Sequence, residues 1–132
     1  TRRSSDLIMH ICSTVTGTVD PNLTTFDVFM SAFPAGTLSG APKPRAIEII
    51  DELEAADRGI YGGTVGYFDF SGNMDMAIAI RTAFLRDHQA SVQAGAGLVL
   101  DSVPATEWQE TRSKAEASVE AIQIAAQLRS VE

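Results

Sequence analysis

Apolar and polar side chains alternate over residues 7–17, with Leu7, Met9, Ile11, Ser13 and Val15 on one face and Ile8, His10, Cys12, Thr14 and Thr16 on the other. That period of two predicts a strand, which Gly17 and the cluster Asp20-Pro21-Asn22 close in a turn. The period then changes. Thr24-Thr25-Phe26-Asp27 has the form of a capping box, and Phe26, Phe29, Met30 and Phe33 recur at helical spacing up to Pro34, so a short helix is expected there. Small residues at 35–41 read as a loop. Pro42 and Pro44 suit the first turn of a second helix, whose apolar face is Ala46, Ile47, Ile49, Ile50, Leu53 and Ala56. Glu48, Asp51, Glu52 and Glu54 fall on its wetter side, and Gly59 is the expected residue just past its end.

Three strand-like segments follow at 60–70, 74–86 and 90–100, joined by Ser71-Gly72-Asn73 and Asp87-His88-Gln89. Connections this short allow only an antiparallel meander. A final helix is expected over 105–129, with Ala115, Val119, Ile122 and Ala126 as its apolar stripe. The fold class is therefore α+β: an antiparallel sheet of long strands with helices packed on it. Strands of that length belong to a large sheet. Four strands and three helices would leave broad apolar faces and edges uncovered. The chain also opens on Thr1 without Met and runs straight into its apolar segment. Both features are expected of the C-terminal portion of a larger domain.

Composition narrows the function classes. Ten basic against 17 acidic side chains leave a net charge of -7, which argues against non-specific nucleic-acid binding. Lys43 and Lys114 are the only lysines, so no polybasic membrane patch exists. No apolar run approaches the ~18–20 residues of a membrane span. The single Cys12 cannot form an internal disulfide, which favours a reducing compartment. A cytoplasmic protein is the expectation.

Register places some polar groups together. A turn near Gly72 sets Tyr61 opposite residue 82 or 83, and a turn near His88 sets Arg81 opposite Gly95, with Gly97 on the same face. Tyr61, Arg81, Gly95 and Gly97 would lie at one level across three strands, a carboxylate site built from a planar fork, a hydroxyl and closely approachable backbone. Spacing alone leaves open the alternative in which Arg81 reaches an exposed edge and the glycines mark bulges. On the last helix Glu107, Glu110 and Lys114 share a face. Two carboxylates there could hold a hard cation such as Mg²⁺, although such spacing more often makes a solvated Glu–Lys surface. His10 in a strand is likewise more often structural than catalytic. Gly95-Ala96-Gly97 lacks the third glycine of a dinucleotide fingerprint, and no P-loop, zinc spacing or nucleophile elbow is present.

Taken in order, Met9-His10-Ile11, the run from Pro34-Ala35-Gly36-Thr37-Leu38-Ser39-Gly40 to Lys43, Tyr61-Gly62-Gly63, Ile80-Arg81-Thr82, Gln93-Ala94-Gly95-Ala96-Gly97 and Glu107-Trp108-Gln109-Glu110-Thr111 with Lys114-Ala115 resemble a known family. They are similar to the C-terminal end of the chorismate-utilising enzymes, above all the large subunits of the anthranilate synthase branch. The likeness runs from about Leu7 to Ala117. It covers the last quarter or so of such an enzyme, so residues 1–132 are expected to be a C-terminal fragment of a chorismate-binding domain.

The resemblance implies roles. Tyr61 and Arg81, with the backbone of Gly95, Ala96 and Gly97, would hold the enolpyruvyl carboxylate of chorismate. Glu110 matches a Mg²⁺ ligand and Glu107 a second acid at or near the metal. His10 matches the active-site histidine that assists removal of the enolpyruvyl group, Thr37 would contact the ring, and Lys114 would help neutralise the ring carboxylate. Ammonia, supplied by a glutamine amidotransferase subunit in a hetero-oligomer, adds to the ring, and pyruvate leaves as anthranilate forms. Trp108 stands where Tyr or Phe is usual, Pro44 replaces an aliphatic residue and Cys12 sits where Ser is frequent, but none of these is a matched site residue. A further metal-binding glutamate and the regulatory site lie upstream in the family, so the isolated chain is expected to be inactive. The aminodeoxychorismate synthase large subunits share nearly the same blocks and remain the alternative within the class. A non-catalytic module keeping the family's shell is the alternative from another class; degenerate site residues would mark it, and His10, Tyr61, Arg81 and Glu110 are all present.

Overall fold

The computed structural model describes residues 13–128. Among these residues four helices and four strands are ordered as α1 (Thr25–Ala32), α2 (Gly36–Ser39), α3 (Lys43–Leu53), β1 (Thr64–Phe68), β2 (Met74–Ile78), β3 (Ala83–Arg86), β4 (Gln89–Val92) and α4 (Pro104–Gln127). The strand expected at 7–17 lies largely outside the described residues, and residues 13–17 are irregular.

Local chemistry accounts for the helix starts. At α1 the Thr24 hydroxyl accepts from the Asp27 amide and the Asp27 carboxylate accepts from the Thr24 amide, closing the capping box. The Thr24 hydroxyl also donates to the Asp27 carboxylate, and that bond, followed by the one from the Thr24 amide, holds the Asp27 carboxyl below its ordinary range. Pro42 caps α3 and Pro44 occupies its first turn, where the missing N–H costs nothing. Helix α3 ends at Leu53, earlier than expected, and the loop expected at 35–41 contains the single helical turn α2.

The sheet differs most from expectation. In place of one meander of long strands there are two separate antiparallel pairs, β1–β2 and β3–β4, of four or five residues per strand. In the first pair Thr64 faces Ile78 and Phe68 faces Met74. Gly66 is required there, because a Cβ would stand 2.0 Å from the Asp75 carbonyl oxygen. The connecting loop is organised by Asp69, whose carboxylate accepts from the Ser71 and Asn73 amides and is lowered in pKa, chiefly by its bonds with Asn73. In the second pair Ala83 faces Val92 and Arg86 faces Gln89, leaving a two-residue turn in which Asp87 and His88 both have positive φ, as a type I′ hairpin demands.

The expected strand 74–86 is broken at its middle. Arg81 sits at φ 51, the Ile80 amide bonds the Ile78 carbonyl, and the Thr82 hydroxyl donates to the Ile80 carbonyl. These local bonds satisfy the backbone in a turn and detach β2 from β3. The expected strand 90–100 stops at Val92, and the stretch holding Gly95 and Gly97 pairs with no strand among the described residues, as interior glycines weaken a ladder.

Helix α1 lies on β1 through aromatic rings: Phe29 meets Phe68 edge-on at 5.9 Å and Phe33 at 5.4 Å, and Phe26 is 6.2 Å from both Phe29 and Phe68. No described side chain is fully enclosed. Half-buried residues occur on α1, α3 and β2, and a further set forms a seam of Pro34, Ala35, Leu38–Gly40, Arg58, Tyr61–Gly63, Ala94–Ala96 and one face of α4. That face of α4 carries Glu107, Thr111, Lys114, Ala115, Ser118 and Ile122, whereas Val119 and Ala126 of the expected stripe are exposed.

Candidate functional site

The seam brings together four of the residues singled out in the sequence. Tyr61 follows a turn in which its amide bonds the Arg58 carbonyl, and its hydroxyl rests against the α-carbon of Gly95: a Cβ on Gly95 would be 2.9 Å from the Tyr61 hydroxyl oxygen. Only glycine leaves the phenol room there. On the other side of Gly95, Lys114 Nζ donates to the Gly95 carbonyl at 3.3 Å and forms an ion pair with Glu110 one helical turn earlier. Tyr61, Gly95, Lys114 and Glu110 therefore form one chain of contacts from the β-rich half of the molecule to α4.

The other candidates are placed differently. Glu107 is half-buried on the same face of α4, and its carbonyl accepts from the Thr111 hydroxyl. Ala96 is half-buried and Gly97 exposed in the unpaired stretch after β4. Thr37 is exposed on α2, next to the half-buried Leu38. Arg81 is exposed on the turn between β2 and β3 and makes no hydrogen bond or ion pair with another described residue. The expected level of Tyr61, Arg81, Gly95 and Gly97 across three strands is thus not formed, because Arg81 sits in a left-handed turn and neither glycine is in a ladder. Of those four, only Tyr61 and Gly95 meet. His10 lies outside the described residues.

A cavity of about 350 Å³ opens beside Tyr61, lined also by Arg58, Ile80, Thr82, Ser91 and Gln93. Ile80 and Thr82 flank Arg81, so the turn bearing the arginine and the phenol of Tyr61 border one space.

Sequence reasoning missed Arg58. Its guanidinium donates to the Leu38 carbonyl at 2.7 Å, forks onto the Glu54 carboxylate, and lies 5.7 Å from the centre of the Tyr61 ring. The pairing raises the Arg58 pKa and lowers that of Glu54, in each case mainly through the hydrogen bonds between them. The signal was in the sequence: Glu54 and Arg58 stand four apart, immediately before the turn into Tyr61.

Among the described residues no group of three or more His, Cys, Asp or Glu side chains is placed to hold a metal ion. Glu107 and Glu110 on one face of α4 are a donor set that fits Mg²⁺, which is commonly bound by one or two carboxylates and completed by waters. In the structure the ammonium of Lys114 balances the Glu110 charge.

Comparison with known proteins gives a consistent picture. The chorismate binding enzyme family matches residues 2–120. Anthranilate synthase component 1 of Arthrobacter globiformis is 56% identical over 124 residues, which cover 94% of this chain and 23% of that protein. The Aquifex aeolicus protein of the same name is 59% identical over 118 residues, covering 89% of this chain and 24% of the relative. Among solved structures, anthranilate synthase component I from Streptococcus pneumoniae superposes with a TM-score of 0.74 at 51% identity, over 76% of this chain and 23% of that one. The chain spans about a quarter of the length of the relatives it matches.

Proposed function

The chain belongs to the family of chorismate-binding enzymes, and from that premise we propose that it forms the C-terminal part of the catalytic domain of an anthranilate synthase large subunit. The observation that carries the reading is the contact chain Tyr61–Gly95–Lys114–Glu110, which joins residues the family resemblance assigns to substrate carboxylates and to metal. The exposed apolar faces of α1, β1 and residues 98–100 support a place within a larger domain, where further polypeptide covers them.

In this reading Tyr61 donates its hydroxyl hydrogen to the enolpyruvyl carboxylate of chorismate, with Arg81 supplying a planar fork and the Gly95–Gly97 backbone allowing close approach. Lys114 offsets the negative charge of the ring carboxylate. Thr37 borders the ring, and His10 assists departure of the enolpyruvyl group. Glu110 and Glu107 would hold Mg²⁺, which when bound would supply Lewis-acid stabilisation of the ring carboxylate and the departing hydroxyl. Lys114 pairs with Glu110 in the structure, and its ammonium would turn to the substrate carboxylate once Glu110 held a cation. Ammonia released by a glutamine amidotransferase subunit adds to the ring with loss of its hydroxyl, and elimination of pyruvate completes a lyase reaction yielding anthranilate for tryptophan biosynthesis. Among the described residues no helix is long and apolar enough to cross a membrane; the reading as an anthranilate synthase subunit places the assembly in the cytoplasm.

The test is a chimera in which residues 2–120 replace the matching segment of the Streptococcus pneumoniae protein. Given chorismate, Mg²⁺ and an ammonium salt, it should produce anthranilate fluorescence, and the Arg81→Ala form should not. A folded chimera that yields no anthranilate contradicts the proposal.

A further inference from the structure

We propose that Arg58 is a positioning residue that fixes the Thr37-bearing turn and the Tyr61 phenol in one relation, so that both face the same ligand. The inference rests on the reading of Tyr61 and Thr37 as chorismate contacts.

Three groups meet at this one side chain, two of them within four residues of it and one, Leu38, 20 residues away. Its Nη1 donates to the carbonyl of Leu38, the residue after Thr37, at 2.7 Å. Its Nε and Nη2 donate to the Glu54 carboxylate just past the end of α3. The central carbon of the guanidinium lies over the Tyr61 ring, 5.7 Å from its centre. The side chain is only 25% exposed, in a region where most side chains are open to solvent. Arg45 provides the contrast, since it also pairs with two glutamates but stands 55% exposed on one helix face and joins nothing beyond it.

Geometry argues for arginine and no other cation. The planar fork binds the carboxylate along one edge, reaches the carbonyl from another nitrogen and still keeps its charge over the ring; a lysine ammonium is a point donor that cannot do all three. Glu54 keeps the guanidinium oriented and balances its charge, so the charge is not spent on the substrate. Leu38 adds an apolar contact to the same junction, its side chain being 3.7 Å from where a Cβ on Gly62 would lie. Tyr61 is thereby held between Arg58 on its ring and Gly95 at its hydroxyl.

The experiment uses the same chimera with Arg58→Ala, Arg58→Lys and, as control, Arg45→Ala. Hydrogen exchange reads the tie directly. Arg58→Ala should speed exchange roughly tenfold at the Ser39, Gly40, Gly62 and Gly63 amides while Val65 and Ala77 in the β1–β2 pair keep their rates. In steady-state kinetics the same variant should raise KM for chorismate roughly tenfold with a smaller change in kcat, since misplaced contacts weaken binding. Millimolar guanidinium should restore part of that loss, and Arg58→Lys should not. Unchanged kinetics beside a lowered Tm, or exchange that rises evenly through the chain, overturns the proposal. If the unsubstituted chimera makes no anthranilate, the functional reading fails separately, and the exchange pattern alone decides whether Arg58 ties the two segments.

Discussion

Along the seam from Glu54 to Glu110, half-buried side chains are joined by hydrogen bonds and ion pairs, whereas the face shared by α1 and β1 stacks Phe26, Phe29, Phe33 and Phe68 while three of the four remain 37% or more exposed. In the seam the charged side chains of Arg58 and Lys114 have their partners within the chain, in Glu54 and Leu38 and in Glu110 and Gly95. The aromatic face is different: an apolar surface gains its stabilisation only by leaving water, at about 25 cal/mol per Å². One region is therefore held by polar contacts within the described residues, and the other leaves apolar surface open among them.

Substitutions can break or sharpen that contrast. The largest effect is expected at the centre of the aromatic face. In the chimera, Phe29→Ala should lower the unfolding free energy by about 3–5 kcal/mol, the cost of emptying a covered aromatic site. A loss below about 1 kcal/mol in chemical denaturation would mean that the face stays bare. At the seam, Gly95→Ala puts a methyl 2.9 Å from the Tyr61 hydroxyl oxygen. The strain, about 1–3 kcal/mol, should emerge as at least a tenfold rise in the dissociation constant for chorismate with little change in fold.

A smaller effect is expected at the start of α1. Thr24→Ala removes the cap and should cost about 1 kcal/mol, read as a fall in Tm. Acid should act on the same contacts. Asp27 and Glu54 have folded pKa values below their ordinary ones, so the native state binds fewer protons than the unfolded state. Their contribution is full above the ordinary carboxylate range and is lost as the pH falls from about 4 through the lowered folded values. Thermal melts at descending pH should show this, and Glu54→Gln should flatten the part due to the Arg58 pair. The smallest change is a gain: His88→Gly relieves a positive φ in the β3–β4 turn and should stabilise that hairpin by about 0.5 kcal/mol.

How far the sequence foretold this depends on the range of the interaction. The Thr24–Asp27 cap, the proline start of α3, the Asp87-His88 turn and the Glu110–Lys114 pair all join residues within four positions, and the structure has each of them. The break at Arg81 was hidden because apolar residues run through 74–86 without Gly or Pro, and local bonds of Ile80 and Thr82 decide the turn. The early end of α3 was hidden for a similar reason, since Glu54 pairs with Arg58 beyond the helix. The Tyr61–Gly95 contact was foreseen as a neighbourhood, but through a strand register that does not form. The arrival of Lys114 at the Gly95 carbonyl joins residues 19 apart and left no periodic trace.

The central claim, that this seam belongs to a chorismate site, is tested most directly by calorimetric titration of chorismate into the chimera with and without Mg²⁺. The account predicts binding that strengthens with Mg²⁺, weakens at least tenfold in Tyr61→Phe and loses its Mg²⁺ dependence in Glu110→Gln. Equal affinity in the unsubstituted chimera and both variants would contradict it.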